Sequence, residues 1–178
     1  MSKPKWKITR NQWLLIGLIA LWCVFIALSS TTVVTIPQLA NFVSQVSGGS
    51  VSTEQFTAFW LSIWWVLVKG WHAFEFGLIF WLGSKVFPKR KPWVAASVIV
   101  LAVLDEIHQT YVQDRGGRIS DVLIDALGVW AAYALVPLFS QKSALHVRAL
   151  GIFVFLLALY LLSQFPFGSL EPELRRAH

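Results

Sequence analysis

Residues 13–34 read WLLIGLIALWCVFIALSSTTVV, a stretch without a single charged side chain. Wound as a helix at 1.5 Å per residue it measures about 33 Å, which matches the ~30 Å hydrocarbon core of a bilayer. Lys3, Lys5, Lys7 and Arg10 precede it and Pro37 follows. Nothing carries a charge between Arg10 and Glu54, or between Arg148 and Glu171. Over the whole chain 56% of residues are hydrophobic and 13% charged, with a mean hydropathy of +0.62. Soluble domains carry a charged share of about 25%. The chain therefore reads as an integral membrane protein. The first run is longer than a signal-peptide core, and Ser29 to Thr32 leads to no obvious processing site, so the helix is expected to be retained.

Outward from that run, the pattern gives an all-α polytopic bundle of about five transmembrane helices. The first spans about Trp13 to Val34. A polar, Gly-rich loop is expected from Gln38 to Ser52, and then an aromatic stretch from Thr53 to Val68 that Ser52 or Thr53 could cap. Fused to the next helix, that stretch would exceed 30 residues and roughly 45 Å, too long for one straight span. Its tryptophans favour the membrane interface, so it reads as an interfacial or re-entrant helix. The second span runs from about Lys69 to Phe87, closed by Pro88, and the third from about Trp93 to Val112. Gly116-Gly117 marks a tight turn before the fourth, about Ser120 to Phe139, with Ser120 as a candidate cap. The fifth covers about Val147 to Phe165. The 178 residues form one domain.

Ten of the fifteen lysines and arginines fall in the N-terminal arm, in the 85–91 loop or at Lys142 and Arg148. The positive-inside bias then predicts a cytoplasmic N-terminus and an extracytoplasmic C-terminus in the cell membrane. The net charge of +6 is thus a membrane-flanking pattern, and nucleic acid is excluded as a partner. Cys23, the single cysteine, lies within the first apolar run and supports no disulfide framework.

Under this topology three segments bring their ionisable residues to one depth. The second helix contributes Lys69, His72 and Glu75. The third contributes Asp105, Glu106, His108 and Gln109. The loop and fourth helix contribute Asp114, Arg115, Arg118, Ser120, Asp121 and Asp125. Charges there cost several kcal/mol unless paired or hydrated, so they should face one another or a wet cavity. Lys69, His72 and Phe76 fall on one stripe, as do Asp105, His108 and Gln109, and Arg118, Asp121 and Asp125. Gly128, three residues beyond Asp125, allows close helix contact.

Asp105-Glu106-Ile107-His108-Gln109, followed by Arg115, Ser120-Asp121-Val122, Asp125 and Gly128, resembles the signature of the VanZ-like membrane proteins. That family takes its name from a protein associated with low-level teicoplanin resistance. Lys69 and His72 meet its second-helix pattern, with Val68 where an Asp is usual and Phe76 where a Tyr is usual. Asp125 stands where Asn is common. The resemblance covers about Lys69 to Gly128, and it implies a membrane-embedded fold and a site without specifying a reaction.

Three readings of the cluster are open, and ion or proton conduction is a fourth. The first is a site for a membrane lipid or a lipid-linked envelope intermediate bearing phosphate. Arg115 and Arg118 would clamp the anion, with Lys69, His72, Gln109, Ser120, Asp121 and Asp125 completing the binding wall. Asp105, Glu106 and His108 would be the acid–base, catalytic set. The second is an ion-pair network that fixes helix packing. The third is a metal site drawing on His72, His108 and the acids, but Asp105-Glu106-Ile107-His108 lacks the His-Glu-x-x-His spacing, so no metal and no cofactor are assigned. Ser120 reads as a cap and Cys23 is remote, so neither is a compelling nucleophile.

Overall fold

The computed structural model describes residues 8–31, 34–112, 116–140 and 144–164, which form helices and the connections between them. Helix α1 (Arg10–Ser30) starts at a capping box in which Thr9 and Gln12 satisfy each other's backbone N–H groups. Helix α2 (Ile36–Val46) follows. A polar loop was expected over much of this span. A second capping box, Thr35 with Gln38, and Pro37 in the first turn instead start a helix there.

Helix α3 (Thr53–Trp64) is capped by Ser52, again with its partner three residues on, Gln55. The expected division between an aromatic helix and the second span is absent. The chain stays helical through a five-residue π turn (Trp65–Lys69) into α4 (Gly70–Val86). A π turn inserts one extra residue and so rotates every following side chain by about 100°. Val66, Leu67 and Val68 are left exposed, whereas Lys69 is buried.

A 3₁₀ turn (Pro88–Arg90) leads into α5 (Lys91–Gln109). Helices α6 (Ile119–Ser140) and α7 (Leu145–Gln164) complete the described chain. Helix α6 begins one residue before Ser120. That serine is therefore in the first turn and not the cap, and the Arg118 carbonyl accepts from Asp121 N–H at 3.0 Å.

Helix α4 is the centre of the bundle. It packs against α1, α5 and α6, and α6 in turn holds α5 and α7. Phe76, Ile79 and Phe80 of α4 meet Ile26, Val98, Ala102 and Val129 in the core. Two hydrogen bonds tie α1 to α4: Gln12 Nε2 donates to the Val86 carbonyl at 2.9 Å, and Trp22 Nε1 donates to the Glu75 carbonyl at 3.3 Å. Because α1 and α4 are antiparallel, Arg10 shares one end of the bundle with Lys85, Lys89, Arg90 and Lys91. Lys69 and the acids of α5 and α6 lie at the other end.

Closest approach occurs between α4 and α6. A Cβ on Gly128 would run into the backbone carbonyl of Ala73, and one on Gly77 would sit 2.8 Å from the carbonyl oxygen of Gly128. Small residues permit this contact, which between lipid-facing helices must supply stability by packing.

The outside is apolar. Leu14, Leu21 and Leu28 of α1 and Leu150, Phe153 and Leu161 of α7 are all exposed. In water such surfaces would associate; in lipid they are solvated. Three helical stretches, Arg10–Ser30, Pro88–Gln109 and Leu145–Gln164, are long and apolar enough to cross a membrane.

Candidate functional site

Among the described residues, nine buried polar or charged side chains interrupt the apolar core, and eight of them lie toward one end of α4, α5 and α6. Lys69 enters from the π turn. Its Nζ lies 2.6 Å from Asp121 Oδ1, with both side chains about nine-tenths buried. Ser120 Oγ donates to the same Asp121 oxygen at 3.3 Å. Asp121 is thus held by a cation from one helix and a hydroxyl from its own, which offsets the cost of burying the charge.

A second layer forms on α5. Gln109 Nε2 donates to Asp105 Oδ2 at 2.7 Å and to Glu106 Oε1 at 3.3 Å. Glu106 is fully buried, and its Oε2 accepts from the backbone N–H of Arg118 at 2.8 Å. Gly117 makes that bond possible, because a Cβ there would collide with the Glu106 backbone carbonyl. Gly117 and Arg118 therefore lie directly on α5.

The third group joins α4, α5 and α6. Half-buried His72 has Nδ1 3.7 Å from Asp125 Oδ1, and Asp125 is fully buried. One ligand atom each from His72, Glu106 and Asp125 lies within 4.8 Å of the others. Neither Asp125 carboxylate oxygen has a hydrogen-bond partner among the described residues.

A cavity of about 250 Å³ reaches the cluster between α1, the π turn, α4 and α5. At ~30 Å³ per water it would hold roughly eight. Ser29, Ser30, His72, Glu75 and Asp105 give it a polar wall, and Trp60 and Trp71 an aromatic one.

The structure brings Lys69, His72, Asp105, Glu106, Gln109, Ser120, Asp121 and Asp125 together. His108, expected on the face of Asp105 and Gln109, is exposed on α5, and the imidazole beside the buried acids belongs to His72. The Arg118 side chain is exposed; only its backbone reaches Glu106. Arg115 and Asp114 lie outside the described residues. Glu75 was grouped with this cluster but given no role. It is 3% exposed and lines the cavity, a position its spacing of one turn from His72 could have indicated.

The family model VanZ/LLP1 matches residues 13–140. The chain belongs to the VanZ/LLP1 family. It is a membrane protein of that family, and the match takes in α1 to α6 with every described residue of the cluster. Helix α7 lies beyond the VanZ/LLP1 match. No curated protein and no solved structure matches the chain.

Proposed function

We propose that this VanZ/LLP1 protein is a five-span cell-envelope protein whose intramembrane polar site receives the phosphate-bearing head group of a lipid-linked intermediate. The spans are α1, α4, α5, α6 and α7. The basic end of the bundle faces the cytoplasm, and the site lies toward the outer leaflet. One observation carries the reading: a cavity of about 250 Å³ whose polar wall adjoins buried acids and whose aromatic wall is exposed at Trp71. A lipid presents both chemistries at that depth, a polar head and an apolar tail.

The exposed Arg118 side chain at the start of α6 is the anion-binding group, assisted by Arg115 three residues earlier in the sequence. Asp105 and Glu106 are the acid–base pair if a bond is broken, with His72 the imidazole nearest the acids. Occupying a lipid-linked precursor would alter how a glycopeptide reaches its target, which links the site to teicoplanin susceptibility.

A competing reading treats the cluster as a packing network, and the 2.6 Å Lys69–Asp121 pair favours it. Mass spectrometry of lipids co-purified with the wild type, Arg118→Ala and Arg115→Ala separates the two. The expected result is enrichment of a phosphate-bearing lipid that either substitution reduces. No enrichment, or full retention in both variants, returns the cluster to the packing reading.

A further inference from the structure

We propose that His72, Glu106 and Asp125 form a binding site for one first-row divalent cation, of the zinc or manganese kind, with coordination positions left open. The site does not depend on the lipid reading; it stands or falls on its own ligands.

Geometry is the first argument. Bonds of about 2.0–2.2 Å place two ligand atoms on one ion roughly 3.3 Å apart in a tetrahedral site and about 4.2 Å apart across an octahedral one. One ligand atom from each of the three side chains lies within 4.8 Å of the others, so small side-chain rotations close the set around a single ion. The His72 Nδ1 to Asp125 Oδ1 distance of 3.7 Å makes the same point. It is too long for a hydrogen bond, since a nitrogen–oxygen separation of about 3.6 Å is already beyond one. It is a normal separation for two ligands on one metal.

Asp125 supplies the second, independent argument. Its side chain is fully buried, and neither of its oxygens has a hydrogen-bond partner among the described residues. Leaving both oxygens of a buried carboxyl group unsatisfied is unfavourable, and a bound cation satisfies them. Its Oδ1 lies 3.7 Å from His72 Nδ1, and one of its oxygens lies within 4.8 Å of a Glu106 carboxylate oxygen.

Glu106 is prepared as a ligand should be. The Arg118 backbone N–H fixes Oε2 and Gln109 fixes Oε1, so the carboxylate is oriented while each oxygen keeps a lone pair. Two carboxylates neutralise a divalent ion, and one imidazole with two oxygens suits a borderline metal better than calcium. Lys69 would repel a cation, but it is engaged by Asp121 at 2.6 Å. Three protein ligands leave room for water or an anionic oxygen, and His72 also lines the cavity through which either would arrive.

The test uses the full chain in detergent, stripped with chelator and titrated separately with Zn²⁺ and Mn²⁺. About one equivalent of one of these ions should bind and raise the thermal midpoint. Asp125→Asn and Glu106→Gln should weaken binding by about tenfold or more, while Glu54→Gln, an exposed acid on α3, should leave it unchanged. If the site variants do not fold, the unmutated protein still decides: X-ray absorption of the bound ion should show one imidazole with oxygen neighbours. No stoichiometric binding of either ion by the wild type overturns the proposal. So does binding that both site variants retain, or a first shell without imidazole. Repeating the lipid co-purification on chelator-treated protein keeps loss of the metal site and loss of the lipid reading as separate results.

Discussion

Replacing Lys69 by Met leaves Asp121 buried, with only the Ser120 hydroxyl, 3.3 Å away, to hold it among the described residues. At 2.6 Å and an effective dielectric of about 20, the lost attraction is about 6 kcal/mol. Desolvating the two ions offsets much of that, so the expected net cost of removing one partner is about 3–5 kcal/mol. Lys69 also interacts electrostatically with Glu106, so Lys69→Met should cost more than Asp121→Leu, which removes an acid from an acid-rich cluster. The double variant replaces the pair by apolar groups of similar size and should cost less than Lys69→Met alone. Unfolding in mixed detergent micelles, followed through the ten tryptophans, measures all four corners of the cycle. Additive costs, or a Lys69→Met cost under about 1 kcal/mol as for a surface pair, would show that the two ions do not depend on each other.

Two further outcomes follow from packing and charge placement. Gly128→Val should destabilise the bundle by about 3 kcal/mol or more, since its Cβ meets the Ala73 backbone. Gly17→Ala on α1, where a Cβ meets nothing within 4 Å, should instead stabilise it by about 0.5–1 kcal/mol; thermal scans of the two variants check the contrast. For sidedness, cysteines at Ser50 and Lys89 in a Cys23→Ala background should react with an impermeant thiol reagent from outside at position 50 and not at 89. Preferential labelling at 89 reverses the topology.

Apolar length made α1, α5 and α7 legible in the sequence, because crossing a bilayer takes about 20 predominantly apolar residues. Helix α2 was not, although its signal was present. Thr35-Ile36-Pro37-Gln38 is a capping box with an early proline, outweighed by the polar composition that follows. The π turn had no such signal, so the break expected near Lys69 was a length argument that the chain avoids by staying helical. In the site, spacing brought the right elements together but misjudged one face. At 100° per residue, Ala102, Asp105, Gln109 and Glu106 cover an arc of about 100° on α5, and all four are buried. His108 sits about 60° outside that arc. An i, i+3 relation to Asp105 placed it nearby, but the centre of the buried face had to be known to exclude it. Partners such as Lys69 and Asp121, 52 positions apart, were legible only as residues at a common depth.

Depth alone does not set a distance, and in this bundle a missing side chain does. Asp121, Asp125 and Gly128 occupy one stripe of α6, and Lys69, His72 and Ala73 face it from the π turn and α4. The carbonyl of Ala73 occupies the space a Cβ on Gly128 would take, so the two backbones touch one turn from Asp125. From that contact Lys69 reaches Asp121 at 2.6 Å and His72 approaches Asp125 at 3.7 Å. Any side chain at position 128 must push α6 outward by an ångström or more, and both pairs would lengthen with it. A shift of ~1 Å would weaken the Lys69–Asp121 hydrogen bond and carry His72 and Asp125 beyond a shared ion. The small-residue contact that packs the helices therefore also fixes the spacing of the polar groups, so packing and site chemistry in this chain cannot be altered independently.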